Sequence, residues 1–374
     1  MSKKTTLANA LLLFGSILFC LAIFMIGELA TRHFSNITFL GHSKNLFIPN
    51  AYGVSSGNAK NIEAVAFGAK VYTDQHGFRV PEHPTDQSKA SNRNALLILG
   101  DSVAFGLGLE EGKTFSGMLR ASFPEMEVYN SSVSGYSTRD YRNVVEFFPL
   151  AEKKVVHVLL LFCLNDISSE SAKEIQEFTN VLKNEDGKHE TIEKNLDGPT
   201  SSGQINQLPI VQEQSWMDVL REYEIFSSVN DFLRSRSKFY ILLKGLLSDP
   251  QKRYWEHDYR LYQDTNHAGF LSHMQDITDV AATLREKSIS FTVILVPYEF
   301  QMRNPVRENL LPQRKLQDYF DRHSIDTIDS TPWFGKKHTE SKKFFLALDP
   351  MHLSEQGNEI VHSLIVDRLG PPIR

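Results

Sequence analysis

The sequence predicts an α/β fold: a parallel sheet covered by helices on both faces, preceded by one membrane-spanning helix. Three observations carry that prediction. Short and almost wholly apolar runs recur at 95–99, 155–162 and 291–296, the pattern of strands buried on both faces. Amphipathic helical stripes alternate with them. A charge-free apolar run also fills Leu7 to Ile26.

The N-terminal run is apolar at 17 of its 20 positions, the exceptions being Asn9, Gly15 and Ser16. As a helix it spans about 30 Å, the thickness of a bilayer core. Lys3 and Lys4 precede it, and positive charge tends to stay in the cytoplasm. The expectation is an uncleaved anchor over residues 1–30, N-terminus inside, with the remainder outside the cytoplasm (periplasmic in a bacterium). A cleaved signal peptide is the alternative. The run outlasts the roughly 7–15 apolar residues of such signals. No small-x-small site follows at Gly27-Glu28-Leu29-Ala30, and Phe19 before Cys20 spoils a lipoprotein-type site.

Residues 31–93 read as a linker and N-terminal extension, polar and irregular, with one strand and turn at Val71 to Arg79. The sheet domain is expected over 94–374. Its first strand is Ala95 to Leu99, ending at Gly100, and its first helix carries Phe115, Met118, Leu119 and Phe123. Met126 to Asn130 forms the second strand, and a helix over Thr138 to Glu152 follows, with Tyr141, Val144, Val145 and Phe148 on one face. Val155 to Phe162 is the third strand, polar only at His157. Further on, Met274, Ile277, Val280, Ala281 and Leu284 mark a helix, and Phe291 to Val296 another strand. Ser354 caps the last helix, which carries Ile360, Val361, Leu364, Ile365 and Leu369. Residues 166–270 break the alternation and read as an insertion over one end of the sheet. Its first part is polar, and Trp216 to Leu247 has helical spacing. Packing and a lid or substrate platform are both open as its role.

Composition narrows the function classes. Of 374 residues, 41% are hydrophobic and 23% charged, with net charge −5. That excludes a wholly disordered chain and lacks the basic field of a nucleic-acid binder. The two cysteines, Cys20 and Cys163, sit in contexts too different for a disulfide and are too few for a Cys-based zinc cluster.

The turn after the first strand reads Gly100-Asp101-Ser102. Turns at the carboxyl ends of parallel strands are where α/β sheets bind ligands. A serine opening a helix there presents its hydroxyl near the helix's positive end. Far downstream, Asp349-Pro350-Met351-His352 sets a carboxylate three residues before an imidazole. In a tight loop Asp349 would accept the Nδ1 proton of His352, whose Nε2 would take the Ser102 proton as general base. A hydroxyl attacks acyl carbons poorly until a base removes that proton. Two more turns sit at strand ends: Ser131 to Tyr136, containing Gly135, and Cys163 to Asp166, containing Asn165. The Gly135 and Ser102 backbone N–H groups with the Asn165 amide would stabilise an oxyanion. Alternatively, Gly135 is a turn glycine and Asn165-Asp166 a helix cap.

Taken as four ordered blocks, this pattern resembles the SGNH hydrolase superfamily, the GDSL-type esterases. The blocks are Gly100-Asp101-Ser102, Gly135, Asn165-Asp166 and Asp349-x-x-His352, over roughly 94–166 and 275–369. The resemblance implies a flavodoxin-like three-layer α/β/α sandwich, Ser102 as nucleophile, His352 as base and Asp349 as its orienting acid. It implies an oxyanion hole of Ser102, Gly135 and Asn165, and no metal or organic cofactor. Val71 to Arg79 also resembles the Thr-Asn-x-x-Gly-Phe-Arg stretch of membrane-anchored, envelope-type members, which add or remove acyl groups on surface polysaccharides. Asp74 stands where they carry Asn. The insertion departs from compact members.

The resulting expectation is a serine esterase acting on acyl esters, with O-acetyl groups on a surface glycan as the substrate class. An O-acyltransferase would use the same three residues, and a non-catalytic polysaccharide-binding protein is the rival from another class. Gly108 to Thr114 mimics a phosphate-binding loop but has three residues between its glycines where four are needed, so no nucleotide is expected. His257, His267 and His273 lack the spacing of a helical zinc pair.

Overall fold

The computed structural model describes residues 3–43, 45–49, 52, 56–83, 93–168, 229–230, 232–335 and 338–370. The polar first part of the expected insertion, and its helical pattern from Trp216 up to residue 228, lie outside the described residues. Helix α1 covers Lys3–Phe34. Its stretch Leu11–Phe34 contains an apolar window with a mean hydropathy of 2.3 and no buried residue. By length and composition it can cross a membrane, as a signal sequence also would.

Five parallel strands form the sheet's centre: β6 (Ala95–Gly100), β7 (Glu127–Asn130), β8 (Val155–Phe162), β9 (Ser290–Leu295) and β10 (Asp326–Asp329). Their spatial order is β7-β6-β8-β9-β10. Counted along the chain that is 2-1-3-4-5, the flavodoxin-like order with its switch point between β6 and β8. Every position of β6 is buried, as is Val158 to Phe162 of β8. Each leucine or valine so enclosed contributes about 1.5–3 kcal/mol relative to exposure. His157 is tolerated because its Nε2 lies 2.9 Å from Thr292 Oγ1, which donates to Asp326 across the next strand.

Helices α3 (Phe115–Ser122), α4 (Thr138–Phe147), α7 (Ala268–Glu286), α9 (Leu311–Arg322) and α11 (Glu355–Leu369) cover the sheet. Helix α3 meets α11 through the Asn358 side chain, which accepts from the Phe115 N–H at 2.9 Å. Helix α4 meets α7 through Thr138, which donates to Asp276. Right-handed crossovers put these two pairs on opposite faces, giving three layers. Helix α4 stops at Phe147, short of the expected Glu152, because Pro149 disfavours a helical conformation at the preceding Phe148.

The extension before residue 94 is more ordered than a linker. Strands β1 (Phe47–Pro49) and β2 (Ser56–Asn58) pair with each other. Strands β3 (Glu63–Ala66), β4 (Ala69–Thr73) and β5 (Arg79–Val80) join the main sheet antiparallel, β5 lying against β7. Asp74 builds the turn between β4 and β5, its Oδ1 accepting from the His76 and Phe78 N–H groups at 2.8 and 2.9 Å. An Asn side-chain oxygen could accept the same bonds. Of the insertion, α5 (Lys238–Leu247) and α6 (Pro250–Tyr259) are helical. Just beyond α6, Tyr262 reaches the carboxyl end of the sheet, where its hydroxyl donates to Leu164 O at 2.8 Å.

Candidate active site

At the end of β6 the chain must turn sharply. A Cβ on Gly100 would sit 2.3 Å from Ala104 Cβ and 3.0 Å from Leu161 O, so only glycine fits. Asp101 then caps α2 (Ser102–Phe105), its Oδ1 accepting from the Val103 N–H at 2.8 Å. Ser102 opens that helix, where backbone donors have no intrahelical acceptor. The helix is a single turn, ended by Gly106 at φ +78°.

That short helix is pinned from below by Arg79. Its guanidinium donates to the carbonyls of Phe105, Gly106 and Leu109, and pairs with Glu111 at 2.8 Å. Arg120 bonds to the same carboxylate. Arg79 is fully buried, and burial pushes its pKa down to about 9. The Gly108 to Thr114 run is thus structural, its Glu111 holding two arginines and its Thr114 capping α3.

The second half comes from the loop before α11. Leu348 takes a left-handed conformation, φ +63°, which brings Asp349 back under the following peptide units. Asp349 Oδ1 accepts from the Met351 and His352 N–H groups at 3.0 and 2.7 Å, and its Oδ2 lies 2.8 Å from His352 Nδ1. His352 Nε2 is 2.9 Å from Ser102 Oγ. The structure therefore brings Asp349, His352 and Ser102 into one hydrogen-bonded line, 250 residues closing on one another. All three are buried.

The three expected oxyanion donors end at the same side of the sheet. Gly135, φ +83°, lies in the turn after β7, bracketed by bonds from Val133 N to Gly100 O and from Tyr136 N to Val133 O. Asn165 Nδ2 donates to Asp101 Oδ2 at 3.0 Å. One of its two N–H groups is thereby directed toward the Ser102 turn. Asp166 caps the same turn, accepting from the Cys163 N–H at 3.1 Å. Of the other histidines noted in the sequence, His267 caps α7 and His273 sits 2.7 Å from Thr138 Oγ1.

Two contributors were not singled out in the sequence. Asp101 is wholly buried, and its Oδ2 lies 3.2 Å from Ser102 Oγ as well as accepting from Asn165. Burial raises its pKa, opposed by the bonds from Val103 and Asn165 and by His352. Phe67 occupies the first position of a two-residue hairpin turn between β3 and β4, at φ +49°. Asn or Gly normally fills that position, so a phenylalanine there holds strain of about 1 kcal/mol. Its ring packs edge-on to His352 at 5.2 Å and beside His42 at 5.2 Å. Burial and His352 together lower the pKa of His42 to about 4, so it stays neutral at physiological pH.

His352 itself titrates above its ordinary 6.5. Burial alone would lower it, but Asp349, by charge and hydrogen bond, and then Asp101 outweigh that. A base must be neutral to accept a proton, so activity is expected to fall as pH drops through a midpoint above 6.5. Asp101→Asn keeps the helix cap yet removes one of the carboxylates. The acid limb of kcat/KM should then move to lower pH, and an unmoved limb would contradict a charged Asp101 beside His352. Asp349→Asn is expected to cost about 10⁴-fold in kcat with the fold retained, because the amide favours the wrong imidazole tautomer; steady-state kinetics and melting curves check this.

No protein-family profile matches the chain, and no curated protein matches it. Solved structures similar to it include the lipase/acylhydrolase from Enterococcus faecalis, at 14% identity and TM-score 0.38, covering 75% of this chain and 100% of that one. A catalytic mutant of an acetylxylan esterase from Geobacillus stearothermophilus matches at 14% identity and TM-score 0.39, over 75% and 96%. A member of the lipolytic protein G-D-S-L family from Veillonella parvula matches at 11% and 0.39, over 73% and 96%.

Proposed function

We propose that this chain is a membrane-anchored serine esterase that hydrolyses acyl esters, with O-acetyl groups on a surface glycan as its substrate class. The observation that carries the reading is the line Asp349 Oδ2–His352 Nδ1, His352 Nε2–Ser102 Oγ, at 2.8 and 2.9 Å. It stands at the carboxyl end of a parallel sheet beside its switch point, where such folds hold ligands.

In this mechanism Ser102 Oγ attacks the acyl carbonyl carbon while its proton passes to His352 Nε2. The oxyanion of the tetrahedral intermediate is held by the Ser102 and Gly135 N–H groups and the Asn165 amide. Each such donor contributes about 2.7–4 kcal/mol to the transition state. His352 returns the proton to the leaving alcohol oxygen as the ester bond breaks, leaving acyl-Ser102. Water gives one proton to His352 and attacks the acyl carbon; the bond to Ser102 Oγ breaks as His352 returns that proton to it, and the carboxylic acid leaves, its remaining proton passing to solvent. Asp349 fixes the imidazole tautomer and stabilises the transient imidazolium. No metal or organic cofactor enters any step. The anchor reading rests on the apolar run of α1 and on Lys3 and Lys4 at the helix's start, which keep the N-terminus cytoplasmic and the site outside.

The test uses the full chain in detergent with an acetyl-aryl ester donor, with and without polysaccharide acceptors. Serine-dependent release ending as free acetate in both conditions supports hydrolysis. Acetate appearing on the acceptor would replace the reading with an O-acyltransferase, and no release dependent on Ser102 would favour a binding protein.

A further inference from the structure

Helix α5 is apolar on its outer face as well as on the face it buries. Ile241 and Gly245 face the protein, while Leu243, Leu246 and Leu247, spaced i, i+3, i+4, are exposed at 39%, 72% and 83%. Gly245 is close to the catalytic loop, since a Cβ there would lie 2.7 Å from Leu348 Cδ1, one residue before Asp349. A leucine stripe left in water forgoes roughly 1.5–3 kcal/mol per side chain, so its position calls for an apolar partner.

What lies beside it identifies that partner. The start of α5 is fastened to the end of the apolar span of α1. Glu28 accepts from Ser237 Oγ at 2.7 Å and from the Lys238 and Phe239 N–H groups at 3.3 and 3.0 Å. Arg32 donates to Arg236 O at 2.8 Å. Phe239 packs edge-on to Phe24 at 5.4 Å and covers Gly27. Phe24 lies in the last turn of the apolar run and Gly27 directly follows that run, where the helix would leave the hydrocarbon. A ten-residue helix is about 15 Å long, so the whole of α5 lies within that distance of the bilayer boundary. Residues 234–244 also carry Arg234, Arg236, Lys238 and Lys244 and no acidic residue, a charge suited to anionic headgroups.

We propose that α5 is a second membrane contact, lying in the bilayer interface with Leu243, Leu246 and Leu247 in the acyl region. It seats the loop carrying Asp349 and His352 against the lipid surface. This rests on the reading of α1 as a retained anchor. The consequence for function is that the site works on esters carried at the membrane face.

The test places the full chain, with Cys20→Ser, in vesicles of phosphatidylethanolamine and phosphatidylglycerol. An environment-sensitive fluorophore is attached through Leu246→Cys, or Leu247→Cys as a second position. Lys287→Cys, exposed at the opposite end of the sheet, is the control. The proposal expects blue-shifted emission and strong quenching by spin-labelled lipid at 246 and 247 but not at 287. Vesicle flotation and intact mass, read on the same samples, report the anchor separately. A chain that floats intact while label 246 behaves like label 287 overturns the α5 contact alone. A chain that has lost α1, or does not float, overturns the anchor and this inference with it.

Discussion

Replacing Ser102 with alanine is expected to lower kcat on an aryl ester by about 10⁶-fold, the scale seen when a triad nucleophile is removed. The loss follows from geometry. Ser102 Oγ is the atom His352 Nε2 faces at 2.9 Å, and no covalent intermediate can form without it. The fold should survive, because the side chain caps nothing. Asp101 provides the α2 cap and Gly100 the turn. Melting midpoints of the two proteins should agree within a few degrees. Retained turnover in a folded Ser102→Ala protein would remove the serine from the chemistry, whereas a collapsed melting curve would show that the hydroxyl is structural.

The largest effect on stability is expected from Arg79→Ala, at about 3–5 kcal/mol, the cost of breaking a buried ion pair by removing one partner. Glu111 keeps Arg120, but it loses the 2.8 Å pair to Arg79. The carbonyls of Phe105, Gly106 and Leu109 also lose the bonds that Arg79 donates. With total stabilities commonly near 5–15 kcal/mol, the melting midpoint should drop by roughly 10 °C. Because the Phe105 and Gly106 carbonyls end the helix that Ser102 begins, the surviving folded fraction should also turn over more slowly. Thermal melting of the full chain in detergent checks this; an unchanged midpoint would contradict the pinning role. Arg79→Lys keeps a charge but not the planar fork that reaches several acceptors, so it should fall between the two.

How far such features could be read beforehand depended on sequence distance. β6 and β8 were legible because a strand buried on both faces leaves an uninterrupted apolar run. β10, Asp326 to Asp329, was not, since an edge strand with one apolar residue resembles a loop. The strand and turn at Val71 to Arg79 was legible and corresponds to β4 and the turn into β5, whereas β3 spans only four residues, too few for alternation to stand out. In the site, the Asp349–His352 pair was legible because its geometry is local, three residues apart. In the sequence Asp101 reads only as part of a turn motif, because its burial and its reach to Asn165 are tertiary facts. The role of Arg79 depends on partners 26 to 32 positions away, which no local pattern encodes. Phe67 was hidden for another reason: its turn normally takes Asn or Gly, so the residue type points away from the conformation it adopts.

The central claim is that Ser102, activated by His352, carries the acyl group covalently. The most direct measurement is mass spectrometry of the full chain, acid-quenched during turnover of an acetyl-aryl ester, with the modified peptide sequenced. The account predicts one acetyl group on Ser102, absent from Ser102→Ala and lost as donor is consumed. Turnover with no acetylated enzyme on rapid quenching, or an acetyl group that persists in Ser102→Ala, would contradict it.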